Sequence, residues 1–172
     1  LDEPARERGV RVYVPERPGF GVSDPDPERT LADWPDDVAA FADAMGLGEF
    51  PVLGISGGGP YALACAALLD DRVTRAGVGC GVGPMDAIPL GERTPYHLAR
   101  YLPLVVQLTL WRQGRTARDD PEAAQRRRAD EAADVDEARW LGEPGRVLVE
   151  TSVAAAAEHG TAPLARELAL FG

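Results

Sequence analysis

The sequence contains no lysine, only two cysteines and two histidines, and no long uncharged apolar run. All 18 basic residues are therefore arginines, and 28 acidic residues leave a formal net charge of −10. An acidic surface repels phosphate backbones and anionic lipids, so we expect neither nucleic acid nor a membrane as a partner. The longest apolar stretch, residues 101–111, is shorter than the roughly 20 residues that a membrane-spanning helix needs.

The two cysteines, Cys65 and Cys80, both lie within apolar stretches. Such positions are typical of small buried hydrophobic residues and not of a disulfide framework or a metal site. We expect no metal and no organic cofactor. Residues 1–6 lack the basic and apolar regions of a signal peptide, so the cytoplasm is the expected location.

The first half of the chain alternates between short apolar runs and helical patterns. Strands are predicted at residues 10–14, Phe50–Ile55 and 73–82. Helices are predicted at residues 35–45, before Gly46 and Gly48, and at residues 60–69. Strands that are apolar on both faces, separated by helices, predict a parallel sheet between two helical layers. The predicted fold is therefore a three-layer α/β core within residues 1–84.

No further strand-like run follows Pro84, and the remaining chain has helical patterns only. Residues 97–112 are apolar on most faces and predict a buried helix, whereas the charge pattern of residues 121–139 predicts a solvated one. Further helices are predicted at residues 145–158 and 161–171. We therefore expect residues 85–172 to form a separate helical layer.

One motif carries chemistry: residues 54–58, Gly-Ile-Ser-Gly-Gly, fit G-x-S-x-G between a predicted strand and a predicted helix. A serine hydroxyl becomes a nucleophile when it is exposed, has a base nearby and faces donors for the resulting oxyanion. A sharp turn would expose Ser56 in a left-handed conformation, and small residues at Gly54 and Gly58 would let the two backbones approach. The N–H of Gly57, at the start of the helix, would be one oxyanion donor.

The alternative is a glycine-rich turn that only joins strand to helix or cradles a phosphate. A P-loop requires a lysine, and this chain has none. The alternating glycines at positions 77, 79, 81 and 83 do not match G-x-G-x-x-G, so they do not predict a dinucleotide site. Alternating glycines in a strand more often permit close backbone approach.

Two segments together resemble the cap-bearing α/β-hydrolase superfamily, in its serine-nucleophile branch. They are RPGFGVSD at residues 17–24 and VLGISGGGPYALA at residues 52–64. The resemblance implies that the predicted strands are the fourth to sixth of the hydrolase sheet, that a helical cap begins near residue 85, and that Ser56 is the nucleophile. Glu16 departs from the aspartate usual before Arg-Pro-Gly. A serine nucleophile argues against haloalkane dehalogenases and epoxide hydrolases, which use an aspartate.

The resemblance also implies a His-Gly oxyanion loop, a catalytic acid and a catalytic histidine, which we expect beyond these residues, in a longer chain. An internal alternative combines Asp86 with His97 or His159, in the order Ser, acid, His. Structural or capping roles are favoured for both histidines.

These observations predict a serine hydrolase that cleaves a small, fairly apolar ester, thioester or amide through an acyl-enzyme at Ser56. The aromatic residues between 96 and 140 either line an acyl pocket or pack within the helical layer. Two alternatives remain: a non-catalytic binding module of the same fold, and a fragment that needs a complementary chain to complete its sheet.

Overall fold

The computed structural model of this chain describes residues 2–120 and 159–172. In these two ranges the chain forms two strands, six α-helices and two short 3₁₀-helices. In chain order they are α1 (Asp2–Glu7), α2 (Trp34–Ala44), β1 (Phe50–Ile55), α3 (Gly58–Leu68), β2 (Val73–Gly79), the 3₁₀-helices Met85–Ala87 and Leu90–Arg93, α4 (Thr94–Tyr101), α5 (Pro103–Asp119) and α6 (Ala162–Phe171).

The two strands pair in parallel, with Gly54 opposite Val78 and Ile55 opposite Gly79. Helix α3 connects them and packs against both. Parallel neighbours need a crossover of this kind, and an α-helix is its usual form. The strand–helix–strand unit confirms the predicted α/β class.

The hydrophobic core of this unit lies between α2, α3 and one face of the sheet. Val38, Cys65 and Leu69 are its buried members, and Phe50 and Val52 of β1 pack against them. Helix α2 has Pro35 and two aspartates in its first turn, and the chain leaves it through Gly46 at φ +66°. A proline in the first turn and a left-handed glycine after the last are the expected helix boundaries.

The opposite face of the sheet is open in the part of the chain that the structure describes. Side chains alternate along a strand, so Leu53 and Ile55 point away from the face that α3 covers. They are 71% and 66% exposed. The described helices therefore cover one face. The described core is incomplete, which agrees with the assignment of the predicted strands to only the fourth to sixth of the hydrolase sheet.

The strand predicted at residues 10–14 is wrong. The segment has no regular structure, and neither β1 nor β2 pairs with it. β-Branched residues favour a strand only where a neighbouring strand supplies donors and acceptors. Tyr13 instead packs edge-on against Phe41 of α2, with ring centroids 5.7 Å apart.

The strand predicted at residues 73–82 is three residues too long. β2 ends at Gly79 because Cys80 adopts φ +48°, which turns the backbone out of the extended conformation. Cys80 is exposed, so the prediction that both cysteines are buried is correct only for Cys65.

The single buried helix predicted at residues 97–112 is also wrong. α4 ends at Tyr101 and α5 begins at Pro103, because proline lacks an N–H and disfavours the helical conformation at the preceding residue. Ala99 and Val106 are buried against Ala165 of α6, whereas several large apolar residues of α4 and α5 are exposed.

The other predictions for the second half have different outcomes. α6 confirms the helix predicted at residues 161–171, and the helices predicted at residues 121–139 and 145–158 lie outside the described residues. Between 85 and 120 and between 159 and 172 the structure describes helices and no strand, while the division into a core of residues 1–84 and a cap stays a prediction. None of the described helices has the length and apolarity to cross a membrane.

Candidate active site

Ser56 occupies the sharp turn between β1 and α3, with φ +53°. Its N–H donates to Gly79 O at 2.9 Å, which extends the sheet pairing by one bond. Its carbonyl oxygen accepts from Gly59 N at 3.0 Å and from Val82 N at 3.2 Å. These three bonds hold the strained turn from both sides and leave the residue exposed at the end of the strand.

The glycines around the turn differ in how much room there is for a side chain. A Cβ at Gly54 would overlap the carbonyl group of Gly58 and lie 2.9 Å from Ala62 Cβ. A Cβ at Gly58 would have nothing within 4 Å, so the close approach predicted there does not occur. The second tight position is Gly59, where a Cβ would lie 3.0 Å from Gly81 Cα.

Gly59 and Gly81 were therefore missed by the sequence prediction. The available signal was the alternation of glycines from 77 to 83, which predicts close backbone approach without saying to what. The structure shows that the segment after β2 approaches the first turn of α3.

Gly57 stands immediately before α3, with φ −59°. The first N–H groups of a helix have no acceptor within it, and the helix dipole places partial positive charge there. The Phe171 ring of α6 lies beside this residue, since a Cβ at Gly57 would be 3.4 Å from Phe171 Cε2. The predicted oxyanion donor thus has an aromatic neighbour from the last described helix.

Ser56 opens onto a cavity of about 420 Å³. The segment after β2 forms one side of it, and the 3₁₀-helices with the start of α4 form the other. The lining is mixed in polarity, and the side chains that shape it include Cys80, Val82, Ile88, Pro89, Glu92 and Tyr96.

The structure does not assemble the internal triad of Ser56, Asp86 and a histidine. Neither Asp86 nor either histidine lines the Ser56 cavity. His97 is exposed on α4, and His159 lines a separate cavity of about 400 Å³ between the loop of residues 18–29 and helices α4 to α6. In the described ranges no side chain hydrogen-bonds to Ser56 Oγ. The sequence alternative is therefore wrong for these residues.

The family follows from the sequence match. Residues 1–134, most of the chain, match the family model described as alpha/beta hydrolase fold. The chain belongs to the α/β-hydrolase fold family. No curated protein and no solved structure matches it significantly. Membership suggests a hydrolase function in general, and Ser56 occupies the strand-to-helix turn where G-x-S-x-G places a nucleophile in this fold.

A buried polar cluster joins α3, α6 and the loop before α2 in this member of the α/β-hydrolase fold family. Glu167 Oε2 accepts from Tyr61 Oη at 2.8 Å and from Arg29 Nη2, and Arg29 Nη1 donates to Tyr61 Oη at 2.6 Å. All three residues are at most 5% exposed. Burial and the Glu167 carboxylate raise the pKa of Tyr61 to about 12, so its phenol stays protonated and donates to Glu167.

The loop of residues 17–24 joins the same cluster. Arg17 Nε lies 3.2 Å from Glu167 Oε1, a contact between opposite charges without hydrogen-bond geometry, and its guanidinium carbon lies 4.9 Å from the Tyr61 ring centroid. Glu16 accepts from Val22 N at 2.9 Å and covers Gly21, where it leaves no room for a Cβ. The residue that departs from the family pattern therefore closes this loop.

No signal in the sequence pointed to Glu167 or Arg29. A glutamate within an amphipathic helix is ordinarily exposed. There is no candidate metal site in residues 2–120 and 159–172, because they contain no group of three His, Cys, Asp or Glu placed to hold an ion. Burial raises the pKa of the Cys65 thiol to about 11, which makes it a poor nucleophile at neutral pH.

Proposed function

We propose that this α/β-hydrolase is a serine hydrolase that cleaves a small, fairly apolar ester, thioester or amide through an acyl-enzyme at Ser56. The observation that carries the proposal is the backbone of Ser56. A non-glycine residue at φ +53°, held by three hydrogen bonds and exposed at the end of a strand, is a strained feature of the kind that concentrates at functional sites. Family membership supports it.

In the proposed reaction, Ser56 Oγ attacks the substrate carbonyl and gives its proton to a general base. The tetrahedral intermediate carries its negative charge on the former carbonyl oxygen, which the N–H of Gly57 would stabilise. The intermediate collapses, the protonated alcohol, thiol or amine leaves, and water then hydrolyses the acyl-enzyme. Since no described side chain reaches Ser56 Oγ, the proposal assigns the nucleophile and one oxyanion donor and leaves the base unassigned.

The cavity beside Ser56 supports a small substrate. At about 420 Å³ it lies within the range of small-molecule sites, and Val82, Ile88 and Pro89 supply apolar surface. The proposal requires neither a metal nor an organic cofactor. A cytoplasmic location, with no nucleic acid or membrane partner, belongs to the same proposal and follows from the acidic composition and the scarcity of cysteine.

Fluorophosphonate labelling followed by intact-mass measurement tests the proposal. The reagent forms an adduct with a serine only when that serine is activated, so we expect a single adduct on the unmodified protein at mildly alkaline pH. The adduct should disappear in Ser56→Ala. It should persist in Ser23→Ala, because Ser23 hydrogen-bonds to Glu16 O in the loop and not at the turn.

The same labelling is applied to this chain and to the product of the complete coding sequence. An adduct that depends on Ser56 in either supports the proposal. If neither forms one, the serine hydrolase proposal is wrong. The non-catalytic binding module is then favoured, consistent with the lack of a hydrogen-bonded base at Ser56 among the described residues.

A further inference from the structure

We propose that the Ser56 cavity selects a substrate with a positively charged ammonium group beside an apolar body, held by Glu92 and Tyr96. The inference rests on the proposed function in taking this cavity as the substrate site. It goes further by naming the charge of the substrate and the two residues that recognise it.

The first argument is an unbalanced negative charge at the cavity. Glu92 lines it as an exposed residue, and in the described part of the chain its carboxylate has no ion pair and no side-chain hydrogen bond. The adjacent Arg93 keeps its positive charge, but its guanidinium is directed away from Glu92: Nε donates to Ile88 O at 2.7 Å and Nη2 to Asp86 O at 3.0 Å, and the residue does not line the cavity. No basic side chain is among the described residues that line the cavity.

The potential at this site is negative for a second, less local reason. The whole chain carries a formal net charge of −10, which favours the approach of cations over that of anions. An anionic substrate would meet repulsion from Glu92, and no arginine is among the described residues that line the cavity. A cationic one would be attracted both on approach and when bound.

The second argument is the position of an aromatic ring beside the carboxylate. The 3₁₀-helix Leu90–Arg93 continues into α4, so Tyr96 follows Glu92 by four residues on a nearly continuous helical path, and both line the cavity. Aromatic faces attract ammonium groups through their quadrupole. Phe171 packs against the Tyr96 ring, with centroids 6.5 Å apart and planes inclined by 60°.

The third argument is the apolar remainder of the cavity. Val82, Ala87, Ile88 and Pro89 add hydrocarbon surface around the carboxylate and the ring. A primary or quaternary ammonium group with a short hydrocarbon arm would place its charge at Glu92 and Tyr96. Its acyl carbonyl would remain within the same cavity as Ser56.

Equilibrium binding to the Ser56→Ala variant tests this without requiring catalysis. The probes are acetylcholine and its uncharged carbon isostere, 3,3-dimethylbutyl acetate, measured by ligand-observed NMR titration. We expect the cation to bind about fivefold more tightly, the size of a partly exposed charge pair with one cation–π contact. In Glu92→Gln the two esters should bind with about equal affinity. Tyr96→Leu should reduce the preference for the cation in part.

Two controls separate the site from general electrostatics. Glu28→Gln removes the same charge from an exposed loop position that does not line the cavity, and it should leave the preference unchanged. Cys80 reports the location, since it is exposed on the cavity while Cys65 is buried. Acetylcholine should slow alkylation of Cys80 by N-ethylmaleimide, and this protection should be lost in Glu92→Gln.

Equal affinity for the two esters, an equal effect of Glu28→Gln and Glu92→Gln, or unprotected Cys80 would each overturn the inference. These outcomes are independent of the labelling experiment. A cavity that prefers the cation but never forms a Ser56 adduct retains this inference and rejects the hydrolase. A Ser56 adduct without a preference for the cation supports the hydrolase and rejects this inference.

Discussion

Ser56 shows how a single strained residue is maintained. A left-handed conformation costs a non-glycine residue about 1–3 kcal/mol. The hydrogen bonds to Gly79, Gly59 and Val82 fix the turn, and the close approach of α3 to β1 at Gly54 removes the room in which it could relax. The geometry of the nucleophile therefore depends on glycines that take no part in the chemistry.

Gly54 and Gly58, the two outer glycines of the motif, provide a matched test of how far the turn depends on each glycine. In Gly54→Ala the new methyl group would overlap backbone atoms of Gly58, which cannot move without shifting α3, so we expect a loss of about 3 kcal/mol in unfolding free energy. In Gly58→Ala the methyl group meets open space in a helical position, and we expect no loss or a gain of about 0.5 kcal/mol. Urea denaturation measures both.

Equal destabilisation by the two substitutions would contradict this account of the turn. The sequence motif alone treats Gly54 and Gly58 as equivalent small positions. It could not separate them, because the separation depends on where Ala62 and the Gly58 carbonyl lie after α3 has packed.

At the scale of elements, ion pairs and hydrogen bonds hold α6 against the core, in addition to apolar packing. Glu167 is the one buried carboxylate among the described residues, and it meets Arg29 from the loop, Tyr61 from α3 and Arg17 from the RPG segment. A buried charge is tolerated only when it is paired. The cluster therefore specifies how α6 is placed, which in turn places Phe171 beside Gly57.

Substituting one member of this cluster should be costly. Glu167→Gln leaves Arg29 as a buried, uncompensated cation, and we expect about 3–5 kcal/mol lower unfolding free energy by urea denaturation. Asp43→Asn is the control: its ion pair with Arg72 is similar in length, 2.7 Å, but the Asp43 side chain is 71% exposed. That variant should lose less than about 1 kcal/mol. Similar losses in the two variants would show that the cluster contributes no more than a surface pair.

The sequence predicted the elements better than their contacts. β1, α2, α3 and α6 were found because apolar periodicity and helix boundaries are local properties. The attachment of α6 to the core was not predicted, because Tyr61 and Glu167 are 106 positions apart and no local pattern marks them as partners. The break at Leu102 was missed although Pro103 was visible, since the apolar periodicity continues across it.

The whole molecule explains the main error, the strand predicted at residues 10–14. Strand propensity is expressed only within a sheet, and the described sheet contains β1 and β2 alone. The same fact leaves Leu53 and Ile55 uncovered on the face opposite α3. Residue patterns predicted that this face is apolar, and that prediction holds. What covers a face is a property of the assembled sheet and not of the strand.

An uncovered apolar sheet face should bind a hydrophobic dye in the folded state. We expect the native chain to enhance the fluorescence of 8-anilinonaphthalene-1-sulfonate, and Leu53→Thr combined with Ile55→Thr to lower that enhancement by about half. Threonine retains the strand propensity while removing apolar surface. Val22→Thr is the control, since Val22 is 86% exposed but stands alone in a loop, and a single apolar side chain makes no patch. If the double variant keeps the full enhancement, the dye binds elsewhere, and the exposed apolar residues of α4 and α5 are the next surface to substitute.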